Sequence, residues 1–123
     1  MGKRSRQRKA DQPKAPDATY PGPGDSVLVL RGSMSPRTRE KYRATAAGEE
    51  RAPGASQEDT WQRAVEFLFE RLAVSWSSAG AEPLTGQAEL LGRFRFASPD
   101  ERHWIRDVLR EHLAEHFPEL PAP

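Results

Sequence analysis

Large apolar residues recur at helical spacing between Gln57 and Phe117, and no comparable periodicity exists elsewhere in the 123 residues. This feature limits how much of the chain can build a core. At about 100° per residue, Trp61, Val65, Leu68, Phe69, Leu72 and Trp76 share one arc of a single helix. Ser56-Gln-Glu-Asp59 ahead of them has the form of a capping box, with Asp where Glu or Gln is usual, and Gly80 is a natural stop. A shorter helix is expected from the cap Leu84-Thr85 to Phe94 or Phe96, weakened by Gly86 and Gly92. Ser98-Pro-Asp-Glu101 is a full capping box with proline at the first helical position. It opens a last helix to about Phe117, stopped by Pro118, with Trp104, Ile105, Val108, Leu109 and Leu113 on its buried face.

The N-terminal half reads differently. Residues 1–24 carry no apolar period and end in Tyr20-Pro-Gly-Pro-Gly24. They cannot bury enough surface to offset a chain entropy of about 1–2 kcal/mol per residue, so disorder is expected. Residues 26–30, Ser-Val-Leu-Val-Leu, form the one strand-like run. With no second run to pair with, they are expected to lie as an extended segment on the helices, against a small second apolar stripe of Phe67 and Val74. That stripe is also the candidate partner-binding surface. Ser35-Pro36 opens a short helix to Gly48, whose one large apolar residue is Tyr42.

The expected fold class is therefore all-α, a small three- to four-helix domain over 56–117. Before it lie a disordered basic arm (1–24) and a region (25–55) of extended segment, short helix and linker; a tail (118–123) completes the chain. About 60 residues is near the lower limit for a self-sufficient core, so homodimerisation or docking of Val27–Leu30 would strengthen it.

A net charge of +1 conceals an asymmetry. Residues 1–51 hold 12 Lys/Arg against 6 Asp/Glu, and residues 57–123 hold 7 Arg against 12 Asp/Glu. Lys3, Arg4, Arg6, Arg8 and Lys9 put five cations in seven residues. On an extended chain such cations can meet successive phosphates and release counterions. No aromatic residue interleaves them, so little base selectivity is expected. Arg37, Arg39, Lys41 and Arg43, with Tyr42 among them, offer a second basic surface, on which Arg39 and Arg43 share a helical face. The run Ser35-Pro-Arg-Thr-Arg-Glu-Lys-Tyr-Arg43 resembles the first helix of the DNA-binding arm domain of tyrosine recombinases, over nine residues only; the residues after Arg43 do not match that domain's length.

Most catalytic chemistry is excluded. There is no cysteine, hence no thiolate nucleophile or thiolate metal site. His112-Leu-Ala-Glu115-His116 resembles the H-x-x-E-H signature of inverted zinc peptidases, in which two imidazoles one turn apart bind the metal. The third ligand of that family is an acid far downstream, and only seven residues come after His116. His103 points about 180° away from His112. Both histidines of the motif fall on the apolar arc and read as structural. Neither a serine nucleophile elbow nor a glycine-rich phosphate loop with its lysine is present.

No apolar run reaches the roughly 18 residues of a membrane span, and the basic N-terminus is not succeeded by an apolar stretch. A cytoplasmic protein without metal, cofactor or membrane contact is expected. Arginine outnumbers lysine 15 to 4 and asparagine is absent, a codon signature of a high-GC bacterial genome. The preferred reading is a non-enzymatic accessory or regulatory protein, contacting nucleic acid or a nucleoprotein assembly through residues 1–14 and a protein partner through its helices. A protein–protein adaptor with no nucleic-acid role is the alternative, and a zinc-dependent hydrolase a distant third.

Overall fold

The helix expected to run from Gln57 to Gly80 stops at Leu72, and this one change alters the fold class. The structure is a computed structural model that describes residues 15–49 and 53–123. Among these residues are four helices and a three-stranded antiparallel sheet, so the chain is mixed α/β and the all-α expectation is overturned. The strands are β1 (Ala18–Pro21), β2 (Val27–Leu30) and β3 (Ala73–Ser77), in the order β1-β2-β3. The helices are α1 (Pro36–Ala46), α2 (Gln57–Leu72), α3 (Gln87–Arg95) and α4 (Pro99–His116).

Ala73-Val-Ser-Trp-Ser77 leaves the helix because a strand satisfies it better. Its β-branched and aromatic residues favour a pleated surface, and β2 supplies the ladder. Trp76 is buried in either conformation, so the helical wheel could not separate them. The register is Val27↔Ser77, Leu28↔Trp76, Val29↔Ser75 and Leu30↔Ala73. Val74 is the extra residue of a bulge between the last two pairs. The strand-like run at 26–30 therefore has a partner on each side.

The other partner is β1, inside the segment expected to be disordered. Ala18 pairs with Leu30 and Pro21 with Val27. The connecting turn places Gly24 and Asp25 at φ 60° and 63°, the left-handed region that glycine and aspartate tolerate best. A hairpin alone would be marginal; this one closes because Tyr20, Leu28 and Leu30 are buried against the helices.

The caps at Ser56 and Ser98 form reciprocal capping boxes. Thr85 caps nothing: α3 begins after Gly86, which makes no side-chain cap bond. Phe69 stacks on Phe94 at 4.9 Å and meets Trp76 edge-on at 5.8 Å. The C-terminal residues complete the core. Leu120 and Pro123 are buried, the Tyr42 hydroxyl donates to the Pro121 carbonyl at 2.5 Å, and Arg106 Nε donates to the Pro123 carbonyl at 3.2 Å. Both β1–α1 and residues 118–123 thus belong to the folded unit.

Candidate nucleic-acid interface

The site is assembled by a loop, Arg31–Ser35, that links β2 to α1. Its first residue is fixed from below by α4. His112 is fully buried, and its Nε2 lies 2.7 Å from the Arg31 carbonyl oxygen. A carbonyl oxygen only accepts, so Nε2 carries the proton and donates. Burial lowers the His112 pKa and keeps the ring neutral, which leaves Nδ1 an acceptor for the Tyr20 hydroxyl at 2.7 Å. Burial, and secondarily Glu115 and Glu111, pushes the Tyr20 phenol up to about 12, so it keeps the proton it donates. One imidazole therefore ties α4 to β1 and to the end of β2. Both its nitrogens are occupied, and neither offers a lone pair to a metal. His116 lies beside it, ring centroids 4.5 Å apart. No group of three or more metal-donor side chains occurs among the described residues.

Above this clasp, Ala15, Asp17, Arg31, Ser33, Met34 and Ser35 line an open groove of about 430 Å³. Ser35 is the cap of α1: its hydroxyl accepts from the Thr38 backbone N–H at 3.2 Å. Gly32 is buried so tightly that a Cβ there would lie 2.5 Å from the Pro16 carbonyl oxygen and 2.9 Å from Ala15 Cβ. The segment entering β1 is consequently held against the start of α1. Lys3, Arg4, Arg6, Arg8 and Lys9 lie outside the described residues, but the chain that carries them joins the fold at this corner.

The second set of predicted cations divides. Arg37 and Lys41 are exposed one turn apart on α1, and Arg43 is exposed on another side. Arg39 is not available: it pairs with Glu119 at 3.2 Å and lies over the Phe117 ring at 5.2 Å, fastening the C-terminal tail. Arg31, which the sequence did not single out, joins the exposed set. Its side chain donates to the Arg71 carbonyl at 3.1 Å and keeps its charge. Only the fold could reveal it, since Arg31 stands alone in sequence, where β2 ends and the loop to α1 begins.

Phe67 and Val74 do not form an exposed apolar stripe. Phe67 is half-buried beside Tyr42, ring centroids 6.1 Å apart, with the Arg71 guanidinium over its ring, and Val74 sits in the β-bulge. The exposed large apolar residues among those described are Trp61 (41%) and Phe96 (89%). Trp61 borders a groove of about 490 Å³ between α2 and α4, lined also by Glu58, Val65, Arg102, His103 and Arg106. Arg106 stacks on the indole at 4.3 Å. Among the described residues, no helix is long and apolar enough to cross a membrane. No protein-family model, no curated protein and no solved structure matches the chain.

Proposed function

We propose that this chain is a cytoplasmic, non-catalytic accessory protein that contacts nucleic acid through residues 1–14 together with Arg31, Arg37, Lys41 and Arg43. The observation that carries this reading is the packing of Ala15 and Pro16 on Gly32 at the start of α1. It sets Ala15, to which residues 1–14 are joined in sequence, beside the loop that leads into the cations of α1. Phosphate contacts of this kind position a protein without reading sequence. Modest base selectivity is the consequence, because the exposed aromatic residues, Trp61 in α2 and Phe96 just after α3, are not among the residues that line this corner.

Fluorescence anisotropy with labelled oligonucleotides tests the reading through salt dependence. Each phosphate that is no longer neutralised takes about 0.7–0.9 from the slope of log K against log salt. Removing residues 1–14 is expected to flatten the slope by several such steps, and Arg37→Glu with Lys41→Glu by about two. Low-salt affinity indifferent to both changes would overturn it.

A second reading rests on Trp61 and Phe96. An adaptor would use that surface for a protein partner and leave nucleic acid alone. It predicts a stoichiometric complex abolished by Trp61→Ala/Phe96→Ala, with no oligonucleotide binding at low salt.

A further inference from the structure

The exposed side of α4 is divided lengthwise by charge. At about 100° per residue, Arg102, Arg106 and Arg110 make one row; Asp107, Glu111 and Glu115 make another about 100° around the helix. Within each row the spacing is i, i+4, at which like charges destabilise a helix. Across the rows only Asp107 and Arg110 stand at i, i+3, so Arg102, Arg106, Glu111 and Glu115 have no opposite charge one turn away on α4. None of the six has an ion-pair partner among the described residues; the pairs Arg39–Glu119, Arg93–Glu101 and Arg95–Glu66 lie elsewhere. Arg102 donates to the Arg95 carbonyl, and Arg106 stacks on Trp61 and donates to the Pro123 oxygen, so two of the cations are held in place.

We infer that this face docks a second copy of the same chain, with the two α4 helices side by side and parallel. The charge pattern selects both occupant and orientation. A face with one positive and one negative row complements itself when the two-fold axis runs along the helices: each positive row then meets the other copy's negative row. An antiparallel pair would set like against like. In the parallel pair, Arg106 stands opposite the partner's Asp107, and Arg110 opposite the partner's Glu111. Ala114, exposed between the rows, lets the helices approach. The rims match as well. Trp61 flanks the positive row, and half-buried Trp104 flanks the negative one in a groove of about 640 Å³ shared with β1, Asp107, Glu111 and Glu115. The Trp61 side of one copy is thereby brought toward the Trp104 side of the other, giving the charged seam an aromatic border.

The arrangement also decides where the two N-terminal segments go. β1 runs antiparallel to α4: Gly22 packs on Trp104, Tyr20 bonds His112, and Ala18 shares a groove with Glu115. Both copies then present Ala15 at the same end. If residues 1–14 bind nucleic acid in the proposed way, the dimer binds it bivalently.

Arg110 and Glu111 are exposed and hold no other element, so they are the positions to exchange. Sedimentation equilibrium of the full-length chain without nucleic acid is expected to show a monomer–dimer equilibrium that weakens with salt. Arg110→Glu alone and Glu111→Arg alone should each weaken it by about tenfold or more, with circular dichroism unchanged. An equimolar mixture of the two should recover dimers, and so should the double variant Arg110→Glu/Glu111→Arg. A monomeric wild type up to about 1 mM overturns the inference, that concentration marking the weak limit of specific affinity. So does a dimer indifferent to the single changes, or one that neither mixing nor the double variant restores. Because no nucleic acid is present, none of these outcomes bears on the proposed function.

Discussion

His112 shows how much one side chain can be asked to hold. It is the largest buried polar group of the core, and its two hydrogen bonds reach residues 92 and 81 positions away. Tyr20→Phe keeps the ring packing but leaves Nδ1 buried without a donor, a destabilisation of about 1–3 kcal/mol readable by urea unfolding. Protonation is disfavoured in the fold, so the folded-state pKa of His112 lies below the ordinary 6.5. Its stabilising contribution is complete above that value and is lost as pH falls through it toward the depressed folded value. The opposite limb belongs to the two buried tyrosines, Tyr20, whose phenol is raised to about 12, and Tyr42, which burial also raises: stability falls as pH rises above 10. Thermal melts across pH should trace both limbs, and Tyr20→Phe should shrink the alkaline one. Gly32→Ala tests the neighbouring joint. The added methyl would press on the Pro16 backbone, so melting should drop and affinity for oligonucleotides should fall with it.

At the scale of elements, the sequence is most legible where the signal is local. The capping boxes at Ser56 and Ser98 and the cap at Ser35 are all found in the fold, because each depends on neighbours within four residues. The sheet depends on partners far along the chain. Leu28 opposite Trp76 is a pairing across 48 positions, and nothing in either segment announces the other. β1 is hidden further by its own composition: Tyr20-Pro-Gly-Pro-Gly24 reads as a linker, and it holds the end of β1 and the start of the hairpin turn. The candidate site is half visible for the same reason. Its cations can be read off directly, whereas the meeting of Ala15 with Gly32, and the diversion of Arg39 to Glu119, are tertiary facts. Leu28→Ala, at a fully buried strand position, should cost about 2–4 kcal/mol. Removing residues 118–123 should destabilise the chain comparably, since Leu120 leaves the core and Tyr42 loses its acceptor; chemical unfolding measures both.

On the scale of the whole molecule, the strands from the first third close onto helices from the last third. A chain lacking residues 1–34 would have no β1, no β2 and no clasp for His112, and is expected to lose cooperative unfolding altogether. The same long clasp governs how the molecule forms. The helices can nucleate early from their own caps, but the full sheet must wait until β2 and β3, Leu28 and Trp76 among their pairs, have met across the intervening chain. Tyr20 and His112 can join only after the intervening turns have been ordered. Such distant closure slows the search, and refolding is expected in the millisecond-to-second range rather than the microseconds of a simple bundle. Stopped-flow tryptophan emission would report it through Trp76, whose environment is complete only once β3 has found β2.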